Sequence, residues 1–238
     1  FFNWRGPLLF YVWMLLPSAT ALYGAYLALT SVAVACSYLV FSKSSRRTGL
    51  LAATIVMPYF TLGASGHSLD RYWWIEWEFW GALFSLFAFT LYARGHRTVA
   101  VIPAFFAAAC KELLIGAFLG GFAGSAVRHN RRELVFWGLG IAAYSVYTAW
   151  HYQILRSYLK VTFEVSSWVG HGGRAFVEET FRFAFPWLWV GWMGSLIGLS
   201  VFGVIAIRPL ELSVYSFANT LLPLAGFMLI GEKWDAYW

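Results

Sequence analysis

The stretch TVAVIPAFFAAACKELLIGAFLGGFAGSAV, from Thr98 to Val127, is free of charge except at two adjacent positions near its middle, Lys111 and Glu112. A charged side chain at bilayer depth is costly unless it is paired or faces a polar cavity, so this pair marks a candidate functional site. One continuous helix over the run would be about 45 Å long and would need a steep tilt to stay in a membrane. We therefore expect a helical hairpin that is broken near Cys110 to Glu112.

The composition determines which solvent the chain can face. Hydrophobic residues make up 60% of the chain and charged residues only 12%, against about 25% charged in soluble domains. The mean hydropathy of +0.63 agrees with this. These values predict an integral, multi-pass membrane protein and argue against a water-soluble domain. Cys36 and Cys110 both lie in apolar runs, where we expect them to pack as small side chains rather than to form a disulfide or bind a metal.

Apolar runs of about 20 residues give the expected membrane spans. We predict an all-α transmembrane bundle with about eight crossings, in which residues 1–238 form a single transmembrane domain. The chain begins Phe-Phe-Asn-Trp, and we expect it to be a fragment of a longer membrane protein. The spans are predicted at residues 18–41, 49–64, 75–93, 134–155, 185–207 and 210–230, with the broken pair between 98 and 127 counted as two short crossings.

The distribution of charge predicts the topology. Arg94 and Arg97 precede the broken stretch and Arg128 follows it, so both of its ends are expected on the cytoplasmic side. In this arrangement the predicted inner loops are rich in Lys and Arg and hold only two acids, Glu133 and Glu211. The other acidic residues fall outside, which predicts an acid-lined surface or cavity that faces away from the cytoplasm. The basic run after Val127 is interpreted as a topology anchor that contacts anionic lipid, and not as a nucleic-acid site.

An acidic and aromatic patch lies at the outer start of the predicted 75–93 helix. Its candidate site residues are Asp70, Arg71, Glu76 and Glu78. Glu76 and Glu78 are two positions apart, so on a helix only one of them can face a shared cavity, and Glu78 is the deeper. The tryptophans here, Trp73, Trp74, Trp77 and Trp80, are most simply an interfacial belt, with stacking on a sugar or lipid as the alternative.

Two further patterns have simple structural interpretations. Gly116, Gly120 and Gly124 recur at every fourth position, which is typical of a close helix–helix contact. Lys111 could be an interfacial residue whose side chain reaches the headgroups, or it could bind a phosphate as a compact point charge.

The order of these elements resembles the GT-C superfamily of membrane glycosyltransferases over roughly residues 1–130. The resemblance rests on Arg5-Gly6-Pro7 before the first span, on Glu78 at a helix start after an outer loop, and on the Lys111-Glu112 break. The last stretch, residues 231–238, is similar to the helix exit of the family near its donor. The principal catalytic carboxylate of the family sits in the first outer loop, which would lie before residue 1.

The resemblance implies a sugar transfer from a polyprenyl-phosphate donor to an acceptor at the non-cytoplasmic face. Glu78, Glu76 or Asp70 would then act as the catalytic acid or base, or as ligands of a divalent metal ion. Lys111, Glu112 and Arg71 would bind the donor phosphate. Trp168, His171 and Arg174 would belong to a lid or acceptor loop.

The alternative function is that of a non-catalytic membrane subunit or scaffold in a larger complex. The expected partners are membrane lipids, the lipid-linked sugar and other membrane proteins. A transporter is less favoured, because the two halves of the sequence do not repeat one another.

Overall fold

The computed structural model of the protein describes residues 8–43, 45–61, 77–159 and 209–219. Within these ranges the regular secondary structure is helical, which confirms the all-α prediction. The helices are α1 (Leu8–Met14), α2 (Ala19–Phe41), α3 (Arg46–Thr61), α4 (Trp77–Ala93), α5 (Val101–Cys110), α6 (Gly116–Val127) and α7 (Arg131–Leu159), with a 3-10 turn at Glu112–Ile115 between α5 and α6. Residues 210–219 are also helical and are called the 210–219 helix below. The predicted span at 185–207 lies outside the described residues.

Serine caps set the starts of α2 and α3. The Ser18 hydroxyl accepts a hydrogen bond from the Ala21 backbone N–H at 3.1 Å, so α2 begins where the sequence predicts it. The Ser45 hydroxyl accepts from the Thr48 N–H at 3.0 Å. This cap starts α3 at Arg46, three residues before the predicted span, and so brings two arginines into its first turn.

Asn130 caps the start of α7. It precedes the helix, its side-chain oxygen accepts from the Glu133 N–H at 3.2 Å, and its Nδ2 donates to Glu133 Oε1 at 3.0 Å. The helix therefore begins at Arg131 and runs to Leu159, longer at both ends than the predicted 134–155 span.

The lengths of the described helices test only part of the predicted set of membrane crossings. Among the described residues, α2 is the one helix both long and apolar enough to cross a membrane. Trp80–Ala93, α5 and α6 are apolar but shorter. The count of eight crossings stays a prediction.

The core consists of two neighbouring clusters. The first joins α2, α4 and α5 through Leu22, Tyr26, Trp80, Leu83 and Cys110. The second joins α4, α5, α6, α7 and the 210–219 helix, and its largest buried side chains are Tyr92, Phe118, Trp137 and Tyr215. Cys36 and Cys110 are free thiols, and Cys110 packs in the first cluster as the sequence predicts.

The glycine series on α6 makes the predicted close helix contact. A Cβ atom placed on Gly120 would lie 2.7 Å from the carbonyl oxygen of Tyr215, and one on Gly124 would lie 3.0 Å from that of Glu211. The backbone of the 210–219 helix therefore rests directly on α6. This contact brings the 210–219 helix against the hairpin that carries Lys111.

Candidate functional site

The Thr98–Val127 stretch is broken at Lys111, as predicted. Helix α5 ends at Cys110, and Lys111 has an extended backbone with φ −147° and ψ 117°. Its N–H donates to the carbonyl of Ala107 at 3.0 Å, which closes the last turn of α5. Its own carbonyl accepts from Leu114 at 2.9 Å, inside the 3-10 turn that leads to α6. The positive charge thus lies at an interruption of helical structure, and its side chain is half-buried.

The two arms of the broken stretch return to the same end of the protein. Arg97 precedes the first arm and Arg128 follows the second, yet both donate to Glu211 Oε1, at 3.3 Å and 3.1 Å. A continuous helix from Thr98 to Val127 would hold these arginines far apart. The shared carboxylate therefore confirms the hairpin.

The arms are too short for two full crossings. Helix α5 has 10 residues and α6 has 12, which correspond to about 15 Å and about 18 Å. The hydrocarbon core of a bilayer is about 30 Å thick. Each α-helical arm covers only about half of that depth, so arm length does not support counting this pair as two crossings.

Helix α4 lies against the break. A Cβ atom on Gly81 would lie 3.2 Å from Cys110 Cβ and 3.4 Å from the Ala107 carbonyl oxygen. Glu78 is three residues before Gly81, in the first turn of the same helix. The backbone of Glu78 is therefore one helical turn along α4 from the residue that contacts the end of α5, and Glu112 begins the 3-10 turn that follows Lys111.

The remaining predicted site residues lie outside the described part of the chain. These are Asp70, Arg71 and Glu76 of the outer patch, and Trp168, His171 and Arg174 of the predicted lid. In the described ranges no group of three or more His, Cys, Asp or Glu side chains could hold a metal ion.

The prediction of an interfacial belt is wrong for Trp80. Its side chain is only 2% exposed and packs among rings from α1 and α2, with Trp13 at 6.1 Å and Tyr26 at 5.6 Å between ring centroids. The tryptophan is buried because α2 packs along α4, and Trp13 of α1, a helix that the sequence analysis did not predict, also lies against it. Trp80 therefore belongs to the aromatic core beside the break.

A second polar site, which we call the ionic clamp, lies at the other end of the hairpin. It consists of Arg97, Arg128, Glu133 and Glu211. In addition to their bonds to Glu211, both arginines lie 3.8 Å from carboxylate oxygens of Glu133. The side chains of Glu133 and Glu211 are only 10% and 12% exposed. The clamp ties the α4–α5 connection, the end of α6, the start of α7 and the 210–219 helix together, and sequence reasoning did not find it.

An aromatic cluster underlies the clamp. The Tyr92 and Tyr215 rings are 4.7 Å apart, and Trp137 lies 6.0 Å from the Tyr92 ring. The Arg97 guanidinium carbon is 5.4 Å from the centroid of the Tyr92 ring, a cation–π contact. The clamp arginine is therefore held by an aromatic face as well as by carboxylates.

One polar contact links the clamp end to the break end. The 210–219 helix carries Glu211 at the clamp and Asn219 two turns further on. Asn219 Nδ2 donates to Ser85 Oγ at 3.1 Å, and the Ser85 hydroxyl lies 3.2 Å from Asn219 Oδ1. Ser85 is one turn from Gly81, so the helix passes from the clamp towards the break along α4.

Comparison with protein-family models, with curated proteins and with solved structures found no match to the chain.

Proposed function

We propose that this chain is part of a multi-pass membrane glycosyltransferase, similar to the GT-C superfamily, which moves a sugar from a polyprenyl-phosphate donor to an acceptor at the non-cytoplasmic face. The observation that carries the proposal is the position of Lys111. It lies at a break in an apolar helical pair, and the helix that begins beside this break carries Glu78. A cation and a carboxylate are the groups that the reaction needs.

The transfer reaction gives the cation and the carboxylate different roles. The acceptor hydroxyl attacks the anomeric carbon of the sugar, the bond between that carbon and the phosphate oxygen breaks, and the polyprenyl phosphate departs with the bonding electron pair. Lys111 would offset the charge that develops on the phosphate. Glu78, with Glu76 and Asp70 as alternatives, would take the proton of the acceptor hydroxyl or hold a divalent metal ion at the phosphate.

The depth of the break suits a lipid-linked donor. Gly81, which touches the break, is 12 residues from the end of α4 at Ala93, or about 18 Å along the helix axis. If the clamp end lies at one membrane surface, Lys111 is inside the hydrocarbon thickness. A polyprenyl phosphate could then approach sideways from the lipid, with its chain still in the bilayer.

The second candidate is a membrane scaffold without catalysis. Its support is the outer face of α7, where Val135, Leu139 and Val146 are 59%, 61% and 69% exposed. Such a face can contact lipid or helices of a partner protein. It is compatible with either function, and the Lys111 break favours the enzyme.

A transfer assay separates the two candidates. The protein expressed from its full reading frame is purified in detergent and incubated with polyprenyl-phosphate mannose or polyprenyl-phosphate glucose, and the released polyprenyl phosphate is measured. We expect release by the wild type and a loss of about a hundredfold or more for Glu78→Gln, as removal of a general base predicts. Lys43→Met removes an exposed cation at the end of α2 and is the control that should stay active. A double variant combines Glu78→Gln and Lys111→Met. If it released as much polyprenyl phosphate as the wild type, the scaffold would be the better function.

A further inference from the structure

Exposed basic residues gather at the ends of the helices beside the clamp. Arg94 follows α4, and α2, which ends just before Lys43, packs against α4 in the first cluster. We call the exposed cations at this end the basic rim. They are Lys43, Arg46, Arg47, Arg94, Arg131 and Arg132.

The rim is not neutralised from within the described part of the chain. The acids described at this end are Glu133 and Glu211, and both are bound to Arg97 and Arg128 in the ionic clamp. The clamp is neutral as a unit, with two cations and two carboxylates. The six charges of the rim therefore remain available to an external anion.

Four of the rim cations lie where their own helices disfavour them. Arg46 and Arg47 are in the first turn of α3, and Arg131 and Arg132 are in the first turn of α7. The positive end of a helix dipole repels cations in the first turn. This placement lowers the stability of the isolated helices, and an anion outside the helix ends would reverse its effect.

Exposed apolar side chains lie within about a turn of these cations. Val135 and Phe136 follow Arg132 on α7, and Leu50 follows Arg47 on α3. Nucleic acid or an acidic peptide could pair with the cations but offers no apolar surface for these exposed side chains. A phospholipid has an anionic headgroup for the cations and acyl chains for the layer beneath.

We infer that the basic rim binds the headgroups of anionic phospholipids. The inference rests on the membrane placement proposed above and not on the sugar transfer. Each Lys or Arg near an anionic membrane surface contributes about 1 kcal/mol, which corresponds to about fivefold in affinity. Removal of two rim arginines should therefore weaken binding by about 25-fold.

The test uses the full chain in a non-ionic detergent, titrated with a short-chain phosphatidylglycerol or with the phosphatidylcholine of equal chain length. Binding is followed by the thermal unfolding midpoint. Phosphatidylglycerol should raise the midpoint of the wild type, and added salt should reduce the effect. Arg131→Gln with Arg132→Gln should fold normally without lipid, because the change removes two cations from a helix N-terminus, and should need about 25 times more phosphatidylglycerol.

Two matched variants make the outcome decisive. Arg131→Lys with Arg132→Lys keeps both charges and should bind phosphatidylglycerol as the wild type does. Arg97→Gln breaks the clamp and should lower the midpoint equally with both lipids. Equal responses to the two lipids, equal stabilisation by inorganic phosphate, or tighter binding of a single-stranded oligonucleotide would each overturn the inference. None of these results depends on transfer activity, so failure of the proposed enzyme would be seen separately.

Discussion

Replacement of Glu211 by Gln should destabilise the protein by removing the charge at the centre of the ionic clamp. Glu211 Oε1 accepts from Arg97 and from Arg128, and its side chain is 12% exposed. Hydrogen bonds to charged groups contribute about 1.5–3 kcal/mol each, but Gln keeps one acceptor oxygen and the Arg128 side chain is 32% exposed. We therefore expect the free energy of unfolding to fall by about 2–4 kcal/mol. This is below the ~5 kcal/mol that breaking a fully buried ion pair can cost.

The measurement is equilibrium unfolding in detergent, followed by tryptophan fluorescence. A double-mutant cycle makes it specific: Arg97 and Glu211 should couple by about 1–3 kcal/mol. Arg97 and Glu133, at the longer distance of 3.8 Å, should couple more weakly. A destabilisation by Glu211→Gln below about 0.5 kcal/mol, the range of ordinary surface changes, would refute the clamp, as would the absence of coupling between Arg97 and Glu211.

The remaining predictions concern backbone positions. Gly120→Ala should lower the free energy of unfolding by about 1–3 kcal/mol, because the new Cβ would meet the Tyr215 backbone, which cannot move away as a side chain can. Gly138→Ala is the control, because the nearest atom to its Cβ would be 3.9 Å away. This variant should gain about 0.5–1 kcal/mol from helix propensity. A loss at Gly138 as large as at Gly120 would contradict the packing of the 210–219 helix on α6. His129 has φ +55°, so His129→Gly should raise stability by about 1 kcal/mol, and Gly95→Ala, at φ +91°, should lower it by about 1–2 kcal/mol. Thermal unfolding checks both, and a destabilised His129→Gly variant would show that the histidine makes a contact worth more than its backbone strain.

Those two residues show that α4 and α6 end in similar ways. After α4, the N–H of His96 donates to Leu91 and that of Gly95 to Tyr92. After α6, the N–H of Asn130 donates to Ser125 and that of His129 to Ala126. Both are Schellman motifs, but only one has glycine at the left-handed position. A glycine pattern in the sequence therefore predicts the end of α4 and gives no signal for the end of α6.

The break at Lys111 could be predicted from the sequence because its cause is local. Two adjacent charges in an apolar run, with arginines beyond both ends, favour a reversal of direction. The close contact at Gly120 and Gly124 was also local, although its partner, the 210–219 helix, was not. Periodicity identifies the face of a helix that is approached but not the helix that approaches it.

The ionic clamp depends on tertiary structure. The charge count identified Glu133 and Glu211 as the only acids in the predicted inner loops, which was the available signal. It could not show that both would bind Arg97 and Arg128, because that choice depends on where four helix ends meet. Asn130, a residue type favoured at the N-cap, was readable in the sequence and would have placed the start of α7 correctly.

The central claim is that Lys111 at the hairpin break binds a lipid-linked phosphate. The direct measurement is the affinity of the full chain in detergent for a polyprenyl phosphate, compared among the wild type, Lys111→Met and Lys111→Arg. Loss of a hydrogen bond between charged groups, about 1.5–3 kcal/mol, predicts binding weaker by roughly tenfold to a hundredfold for Lys111→Met, with the unfolding midpoint unchanged and with most of the affinity kept by Lys111→Arg. Equal affinity of the wild type and Lys111→Met would contradict the account.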